Sequence, residues 1–384
     1  MTGAAPRKIV LAAGGTGGHM FPAQALAREL LSRGCEVVLV TDQRGAGFGP
    51  DLPQVETYRI SAGGVAGSGL LRKLKGLASL ALGFFQARRL LKGLGAEAVV
   101  GFGGYPSVPT VLAGSRAGLR IVIHEQNAVA GRANRLLAPR AHAIATCFDR
   151  VKGLRKAERR RATVTGNPVR AAIAELGRRP YAVLGETDPL TLLVVGGSQG
   201  ARVFNTVVPE AIRHLPEALR RRIRLSQQVP GEAIERVQAI YRDCGVAAEL
   251  AAFFDDVPAR LAAAHLVICR AGASTTAELA AAGRPAILVP YPTATDDHQT
   301  ANARALVDAG AAWLLPESSL TAETLAERLE SLLGTPALLT RAAHCAAAVA
   351  RHHAAERLAD LVLAGNESNG ETSPSEETGK EAAA

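Results

Sequence analysis

One structural unit, an apolar strand that runs into a glycine-rich turn and then a helix, occurs twice in this sequence. The apolar run Lys8–Ala13 (KIVLAA) enters the turn 14–18 (GGTGG), and a helix is predicted over Pro22–Ser32. Near the middle of the chain, Thr191–Val195 (TLLVV) enters a second turn at 196–200 (GGSQG). Unbroken apolar strands that alternate with helices are typical of parallel sheets covered on both faces. We therefore predict an α/β chain with two Rossmann-like, doubly wound parallel-sheet domains. Further strands are predicted at Glu36–Val40, Ala98–Val100, Ile121–Ile123, Leu266–Cys269 and Ala286–Val289.

Length and turn signals divide the chain. Its 384 residues are too many for one ordinary core. The turn Gly166–Pro168 separates the two units, because proline cannot continue a central strand. The predicted parts are an N-terminal domain at 1–165, a C-terminal domain at 166–340, a C-terminal helix at 341–365 that can pack back on the N-terminal domain, and a disordered tail at 366–384. Ligands of open parallel sheets bind at the carboxyl ends of the strands, so we expect one site in the interdomain cleft.

Composition excludes several classes of protein. Apolar residues (48%) and charged residues (21%) fit a globular chain rather than a disordered one. No apolar run reaches the roughly 18 residues of a membrane-spanning helix, and the N-terminus lacks the apolar region of a secretion signal. Five scattered cysteines argue against a disulfide framework or a thiolate zinc site. The net charge of +9 favours anionic partners, but the aromatic content of 4% supplies few base-stacking side chains, so no nucleic acid is expected.

The first glycine turn is a candidate anion site. Its glycines let backbone N–H groups approach a ligand, and the helix that follows presents its positive end. His19 is either an ordinary helix-entry histidine or a base that titrates near neutral pH. The GxGxxG spacing of dinucleotide sites is broken at Met20. Asp42, at the end of the second predicted strand, still leaves an NAD-dependent oxidoreductase open.

Polar or glycine-rich segments follow three other strands. His124–Asn127 (HEQN) places four hydrogen-bonding side chains after a strand, which favours a site over core packing. The turn 101–107 (GFGGYPS) is, by itself, most simply a tight crossover. Ser198, in the second glycine turn, is a helix cap, a phosphate ligand, or both.

Two segments of the second half carry further candidates. In 270–278 (RAGASTTAE), Thr275 and Glu278 have the spacing of a helix capping box, but a helix end with small hydroxylated residues also binds diphosphate. Both interpretations stay open. The loop 290–302 (PYPTATDDHQTAN) holds Asp and His in no recognised metal-ligand spacing, whereas its amide and imidazole groups suit sugar hydroxyls.

The segment Leu70–Lys92 is predicted as a helix with two possible roles. Its apolar residues recur at helical spacing, which is typical of a helix that covers a sheet. Apolar residues beyond one face, with arginines and lysines around them, also fit an anchor on an anionic membrane surface.

Seven segments together, in this order over residues of about 10–310, resemble the MurG family within glycosyltransferase family 28: GGTGGH, GFGGYPS, HEQN, TGNPVR, GGSQGA, RAGASTTAE and PYPTATDDHQTANA. That family comprises the UDP-N-acetylglucosamine:N-acetylmuramyl-(pentapeptide) pyrophosphoryl-undecaprenol N-acetylglucosaminyltransferases of bacterial cell-wall synthesis. The resemblance implies the GT-B fold, in which two Rossmann-like domains face each other across a cleft.

The resemblance also implies which residues bind UDP-N-acetylglucosamine (UDP-GlcNAc). In the C-terminal domain these are Arg170 and Ser198 at the nucleotide and phosphates, the backbone of Phe254 at uracil, Ala273, Ser274, Thr275, Thr276 and Ala277 at the diphosphate, Glu278 at ribose, and Gln299 with its neighbour His298 at the sugar. In the N-terminal domain, Thr16, Gly17, Gly18 and Asn127 complete the site. The glycine loops of that domain receive the diphosphate of the lipid acceptor.

A mechanism follows from the same resemblance. An α-linked donor and a β-1,4-linked product require one inverting displacement, with His19 as the first choice for general base and Glu125 as the second. A helix end and an arginine can offset the charge on departing UDP, so neither a metal nor a cofactor is expected. The resemblance places the protein peripherally, on the cytoplasmic face of the inner membrane, in peptidoglycan synthesis, and so in cell shape and division. Another GT-B transferase, a UDP-GlcNAc 2-epimerase and a basic nucleic-acid-binding scaffold remain alternatives.

Overall fold

The computed structural model of the protein describes residues 6–15, 17–43, 45, 47–63, 70–182, 184–185, 187–197 and 201–364, with the backbone alone at 70–73. The strands, in chain order, are β1 (Lys8–Ala12), β2 (Glu36–Thr41), β3 (Glu56–Arg59), β4 (Ala98–Gly101), β5 (Arg120–Glu125), β6 (Ala143–Thr146), β7 (Ala162–Val164), β8 (Leu190–Val195), β9 (Ile223–Gln228), β10 (Ala247–Ala251), β11 (Leu266–Cys269), β12 (Ala286–Leu288) and β13 (Ala312–Leu314). They form two parallel sheets, β3-β2-β1-β4-β5-β6-β7 and β10-β9-β8-β11-β12-β13.

Helices connect these strands and cover both sheets. In chain order they are α1 (Gly17–Ser32), α2 (Leu70–Leu94), α3 (Ser107–Arg116), α4 (Arg132–Leu137), α5 (Lys156–Arg159), α6 (Ala171–Ala174), α7 (Phe204–His214), α8 (Glu217–Arg220), α9 (Ile234–Asp243), α10 (Val257–Ala263), α11 (Ala273–Ala282), α12 (His298–Asp308), α13 (Ala322–Leu333), α14 (Pro336–Ala348) and α15 (Ala354–Leu363).

Each sheet has a core on both faces, as the continuous apolar strands predict. In β1, Ile9 and Leu11 point into one apolar cluster, while Val10 and Ala12 point into the cluster on the opposite face. Alternate residues of β8 divide in the same way, and Leu193 lies on the face opposite its neighbours. The predicted fold, two Rossmann-like domains, is therefore confirmed.

The predicted strands agree with the observed ones to within a few residues, and one difference matters for function. The polar pair His124 and Glu125, predicted to follow a strand, forms the last two residues of β5 and is buried. The basic stretch Arg150–Arg161 includes α5 and leads into β7 at the edge of the first sheet, so the first domain continues to about Val164.

Helix α1 begins five positions earlier than predicted, at Gly17 rather than at Pro22. Proline usually marks the first turn of a helix, because its missing N–H is not needed there. Here Pro22 lies inside the helix and is buried. The early start places His19 in the first turn of the helix, directly at the edge of the sheet.

The C-terminal segment contains two helices rather than the single helix predicted at 341–365. Helix α14 packs on the second domain through Leu339, Ala343 and Ala346. Helix α15 packs on the first domain, where Leu358 joins the cluster that contains residues of α1. The guanidinium of Arg7 donates to the carbonyl of Leu363 at 2.9 Å. The chain thus crosses between the domains twice, first near Gly166 and again between α14 and α15. The predicted tail at 366–384 lies outside the described residues.

Candidate active site in the interdomain cleft

Segments that follow strands of the two sheets meet at a cleft between the domains, and several contacts join the two sides. Asn302 of α12 accepts from the backbone N–H of Ala128 at 2.9 Å and donates to Oδ1 of Asn127 at 3.1 Å. The Arg170 guanidinium lies 5.2 Å from the ring centroid of Phe21 on α1. These contacts join the two domains at the cleft where the sequence predicts one interdomain site.

His19 lies on the first-domain side, against the loop that follows β4. Gly103 and Gly104 have φ angles of 84° and 72°, a region that favours glycine. Cβ atoms at these positions would lie 3.5 and 3.6 Å from ring carbons of His19, so the loop packs directly on the imidazole. Burial lowers the pKa of His19, an effect that the Phe102 carbonyl and the Gln126 side chain oppose. The imidazole is therefore neutral at physiological pH and able to accept a proton.

Glu125 is held by four hydrogen-bond donors. Its Oε1 accepts from the backbone N–H of Asn127 at 2.9 Å and from Nδ2 of the same residue at 3.5 Å. Its Oε2 accepts from the Gly131 N–H and from Nδ2 of Asn134, both at 2.8 Å. Burial raises the pKa of Glu125, and these donors oppose the rise. The carboxylate thus organises the loop that carries Asn127.

On the second-domain side, helix α11 begins without a side-chain cap. Its N-cap is Gly272 in an extended conformation, so the capping box considered for Thr275 and Glu278 does not form. The Thr276 hydroxyl turns back to the carbonyls of Gly272 and Ala273, at 3.2 and 3.0 Å. The first N–H groups of the helix are left for an anion, as the diphosphate interpretation requires.

Glu278, one turn into α11, is paired with Arg170 instead of with the helix start. The Arg170 Nε donates to Oε1 at 3.0 Å and Nη2 donates to Oε2 at 3.2 Å. Burial raises the pKa of Glu278, and the charge of Arg170 opposes that rise. The structure therefore brings two of the predicted donor-binding residues into direct contact.

Gln299 and His298 lie at the start of α12 beside α11. The Oε1 of Gln299 accepts from the backbone N–H groups of Ala271 at 3.2 Å and Tyr291 at 2.9 Å. Its amide NH2 is left to donate. The Nδ1 of His298 lies 2.8 Å from the Thr295 carbonyl and so carries the proton, which leaves Nε2 as an acceptor.

The remaining predicted residues are distributed as follows. Gly17 and Gly18 form the first residues of α1, and Ala273, Ser274 and Ala277 belong to α11. Phe254 is buried beneath Arg260, whose guanidinium lies 4.0 Å from the ring centroid. Thr16 and Ser198 lie outside the described residues. Within the described ranges, no three His, Cys, Asp or Glu side chains lie together as metal ligands.

Asn302 joins the two domains at the cleft, although the sequence pattern assigned it no role. It is completely buried and contacts both domains, and it also donates to the Ala271 carbonyl at 3.1 Å. The signal was its position one helical turn after Gln299, which places both side chains on the same face of α12.

Helix α2 has both of the faces considered for it. Ala87 and Leu91 are buried against the first sheet. Leu74, Leu77 and Phe85, together the apolar face of α2, are 53%, 55% and 62% exposed. The exposed basic residues Lys75, Arg88, Arg89 and Lys92 lie on the same helix. Of the helices that the structure describes, none is long and apolar enough to cross a bilayer.

Comparison with known proteins identifies the family. The chain matches the glycosyltransferase family 28 N-terminal domain over residues 9–146 and the C-terminal domain of that family over residues 191–358. Among curated relatives, the UDP-N-acetylglucosamine--N-acetylmuramyl-(pentapeptide) pyrophosphoryl-undecaprenol N-acetylglucosamine transferase of Paramagnetospirillum magneticum is 55% identical over 92% of this chain and 96% of its own. The protein of the same name from Rhodospirillum centenum is 55% identical over 95% of this chain and 97% of its own.

A solved structure supports the same assignment. The crystal structure of Acinetobacter baumannii MurG is 33% identical to this chain and superposes with a TM-score of 0.77 over 93% of this chain and 99% of its own. The family models and these relatives show that the chain belongs to glycosyltransferase family 28 and, within it, to the MurG family.

Proposed function

We propose that this protein transfers N-acetylglucosamine (GlcNAc) from UDP-GlcNAc to the 4-hydroxyl of N-acetylmuramic acid (MurNAc) in undecaprenyl-pyrophosphoryl-MurNAc-pentapeptide, with inversion at the anomeric carbon. One arrangement carries the proposal: the neutral imidazole of His19 and the uncapped end of α11 lie on opposite sides of one cleft. It occurs in a chain that is 55% identical to relatives named for this reaction.

The second domain holds the donor. The N-terminus of α11 binds the diphosphate through its free N–H groups and its positive end. Glu278 accepts hydrogen bonds from the ribose hydroxyls, while Arg170 balances its charge and lies close to the phosphates. The free NH2 of Gln299 and the Nε2 of His298 bind the GlcNAc hydroxyls. The backbone at Phe254 contacts uracil.

The first domain supplies the base. The acceptor oxygen attacks C1 of the sugar as the bond from C1 to the phosphate oxygen breaks, and the bonding electron pair leaves with UDP. The proton of the acceptor hydroxyl passes to His19. We assign this role to His19 rather than to Glu125, because both oxygens of Glu125 already accept two hydrogen bonds each. Glu125 keeps Asn127 and the loop around it in place.

Charge stabilisation on the leaving group comes from the protein. Negative charge grows on UDP during the displacement, and the α11 N-terminus together with Arg170 offsets it. Helix ends and guanidinium groups can perform the electrostatic role that a divalent metal plays in other phosphate sites. We therefore propose that the reaction proceeds without a metal and without a cofactor.

The acceptor is a lipid, and the apolar face of α2 supplies a membrane contact. Three large apolar side chains are exposed there, and basic residues accompany them, which suits an anionic membrane surface. We propose that the protein binds peripherally to the cytoplasmic face of the inner membrane and works in peptidoglycan synthesis. The lipid substrate would then enter the cleft from the first-domain side.

A transferase assay with the purified full chain tests the reaction. UDP-GlcNAc and the lipid acceptor are expected to yield a disaccharide whose anomeric proton coupling shows a β linkage, with the same rate in the presence of a chelator. The His19→Asn variant is expected to lose kcat by about 100- to 10,000-fold with little change in the KM for UDP-GlcNAc. A product with retained configuration, a requirement for a divalent metal, or epimerisation of UDP-GlcNAc without transfer would each contradict the proposal.

A further inference from the structure

Three buried polar groups form a hydrogen-bonded chain behind His19. Gln126 lies beside the imidazole, and its Nε2 is 2.9 Å from the Phe102 carbonyl oxygen and 3.0 Å from Nδ1 of His124. The Nε2 of His124 lies 3.3 Å from the carbonyl oxygen of Gly166, where the chain leaves the first domain. Gln126 and His124 are 1% and 0% exposed. The mechanism above uses neither of them.

The position of each proton in this hydrogen-bonded chain follows from its last member, the Gly166 carbonyl. A carbonyl oxygen only accepts, so Nε2 of His124 must carry a proton to bond Gly166. Burial lowers the pKa of His124 to about 4, so the ring is neutral and its Nδ1 is an acceptor. The other titratable groups that face this ring are Cys147, with its Sγ 3.5 Å from Nε2, and His19. Nδ1 of His124 therefore receives a hydrogen bond from Gln126.

This assignment determines how the Gln126 amide is oriented. Both hydrogens of its NH2 are used, one toward Phe102 and one toward His124. Its Oε1 is buried and has no partner there, and Nδ1 of His19 is likewise buried without one. The Phe102 carbonyl and, to a smaller extent, the Gln126 side chain raise the pKa of His19, so both lie close enough to favour a protonated nitrogen. Of these two acceptors, only Oε1 of Gln126 lacks another partner. The opposite amide orientation would leave the Phe102 carbonyl and Nδ1 of His124 facing an oxygen.

We propose that Gln126 is a positioning residue that holds His19 in the tautomer with the proton on Nδ1, so that Nε2 presents its lone pair to the acceptor hydroxyl. His124 and the Gly166 carbonyl keep the Gln126 amide in the orientation that this requires. Which nitrogen of a histidine carries the proton is set by the hydrogen bond that the other nitrogen makes. The inference rests on the proposed role of His19 as the base.

Nitrogen-15 NMR of the full chain with labelled histidine tests the tautomer directly, at about pH 7.5, where neutral imidazole dominates. The His19 signals are identified by their loss in His19→Asn. We expect His19 to be protonated at Nδ1 and His124 to show the opposite pattern, with the proton on Nε2. Protonation of His19 at Nε2 in the wild-type protein would overturn the inference, whatever the transferase activity.

Variants of Gln126 add a kinetic test. Gln126→Met removes the acceptor at similar volume, and we expect the Nδ1–H signature to weaken and kcat to fall roughly 10- to 100-fold, with an unchanged KM for UDP-GlcNAc. Gln126→Glu, protonated in this buried site, keeps an oxygen toward His19 and a hydroxyl donor toward Phe102 or His124, so the tautomer and most of kcat should return. Equal losses in both variants, or an unchanged tautomer in Gln126→Met, would show a packing role only.

The matched control is Gln227→Met in the second domain. Gln227 is also fully buried and also donates to a backbone carbonyl, that of Phe204 at 3.1 Å. It should change neither kcat nor the His19 tautomer. If His19→Asn retains full kcat while the NMR pattern is as expected, the proposed base is wrong and the positioning by Gln126 still holds, so the two failures are distinguishable.

Discussion

In the proposed donor complex, the carboxylate of Glu278 has two partners, Arg170 and the ribose. It already accepts two hydrogen bonds from Arg170, which also stacks on Phe21 of the first domain. An ionised carboxylate has about four acceptor positions, so two remain for the ribose hydroxyls. In that proposed complex, the ion pair orients Glu278 for the donor, and Arg170 connects Glu278 to Phe21 of the first domain.

Replacing Glu278 with glutamine removes the charge and one acceptor oxygen at nearly constant volume. We expect Glu278→Gln to raise the KM for UDP-GlcNAc roughly 10- to 100-fold, because hydrogen bonds to a charged group contribute about 1.5–3 kcal/mol. Steady-state kinetics with varied donor concentration measures the change. Glu217→Gln is the control, since Glu217 also pairs with an arginine, Arg221, but on the surface. A KM that stays at the wild-type value in Glu278→Gln would exclude the ribose contact.

Helix α2 shows how one element can have two roles. Its C-terminal half packs on the sheet through Ala87 and Leu91. A Cβ at Gly83 would lie 1.8 Å from the Ser61 carbonyl oxygen, so the helix also needs glycine at this close approach. The three side chains of the apolar face of α2 are more than half exposed, and none of them belongs to the buried core cluster.

Substitution of the apolar face or of the nearby cations should therefore weaken membrane binding while the fold is preserved. We expect the triple variant Arg88→Gln, Arg89→Gln, Lys92→Gln to lower binding to phosphatidylglycerol vesicles by roughly 100-fold, because each cation near an anionic surface contributes about 1 kcal/mol. The triple variant Leu74→Gln, Leu77→Gln, Phe85→Gln should weaken binding at both low and high salt, whereas the effect of the cations should vanish at high salt.

Vesicle flotation measures membrane binding, and thermal unfolding measures the stability of the fold. Leu338→Gln is the control, because Leu338 is an exposed leucine on α14 of the second domain. Binding of the wild-type protein to neutral and to anionic vesicles with equal strength would remove the basis for an electrostatic membrane contact. A loss of thermal stability in the α2 variants would instead assign the exposed face to folding.

Local sequence pattern predicts the apolar elements well and the polar ones poorly. Strand β11 has the predicted bounds Leu266–Cys269, because an apolar run buried on both faces has few alternatives. The sequence pattern did not predict that β5 extends to His124 and Glu125. The partners that satisfy the Glu125 carboxylate, such as Asn134, come from a later helix. Asn302 was not selected for the same reason, because its contacts to Asn127 and Ala128 exist only after two distant segments meet.

In the whole molecule, the two domains are joined at two places, by contacts in the cleft and by α15, which packs on the first domain. Asn302 bonds the first domain directly behind the candidate site, and α15 returns to the first domain near α1. Asp296 of the second domain pairs with Arg135 of the first and lies 3.7 Å from Arg132. These contacts hold His19 and α11 in one relative position, which the proposed displacement requires.

Asn302→Ala tests whether that relative position controls the reaction. Loss of the three hydrogen bonds of Asn302 leaves the Ala128 N–H and the Ala271 carbonyl without their partner, and we expect the free energy of unfolding to fall by about 1–3 kcal/mol. We also expect kcat/KM to fall at least about tenfold, because small displacements of reacting groups are costly. Asn205→Ala, which removes a buried asparagine within the second domain alone, should affect stability but not kcat/KM. Equal kinetic effects of the two variants would show that Asn302 acts only through stability, and that the domains reach their reactive arrangement without this link.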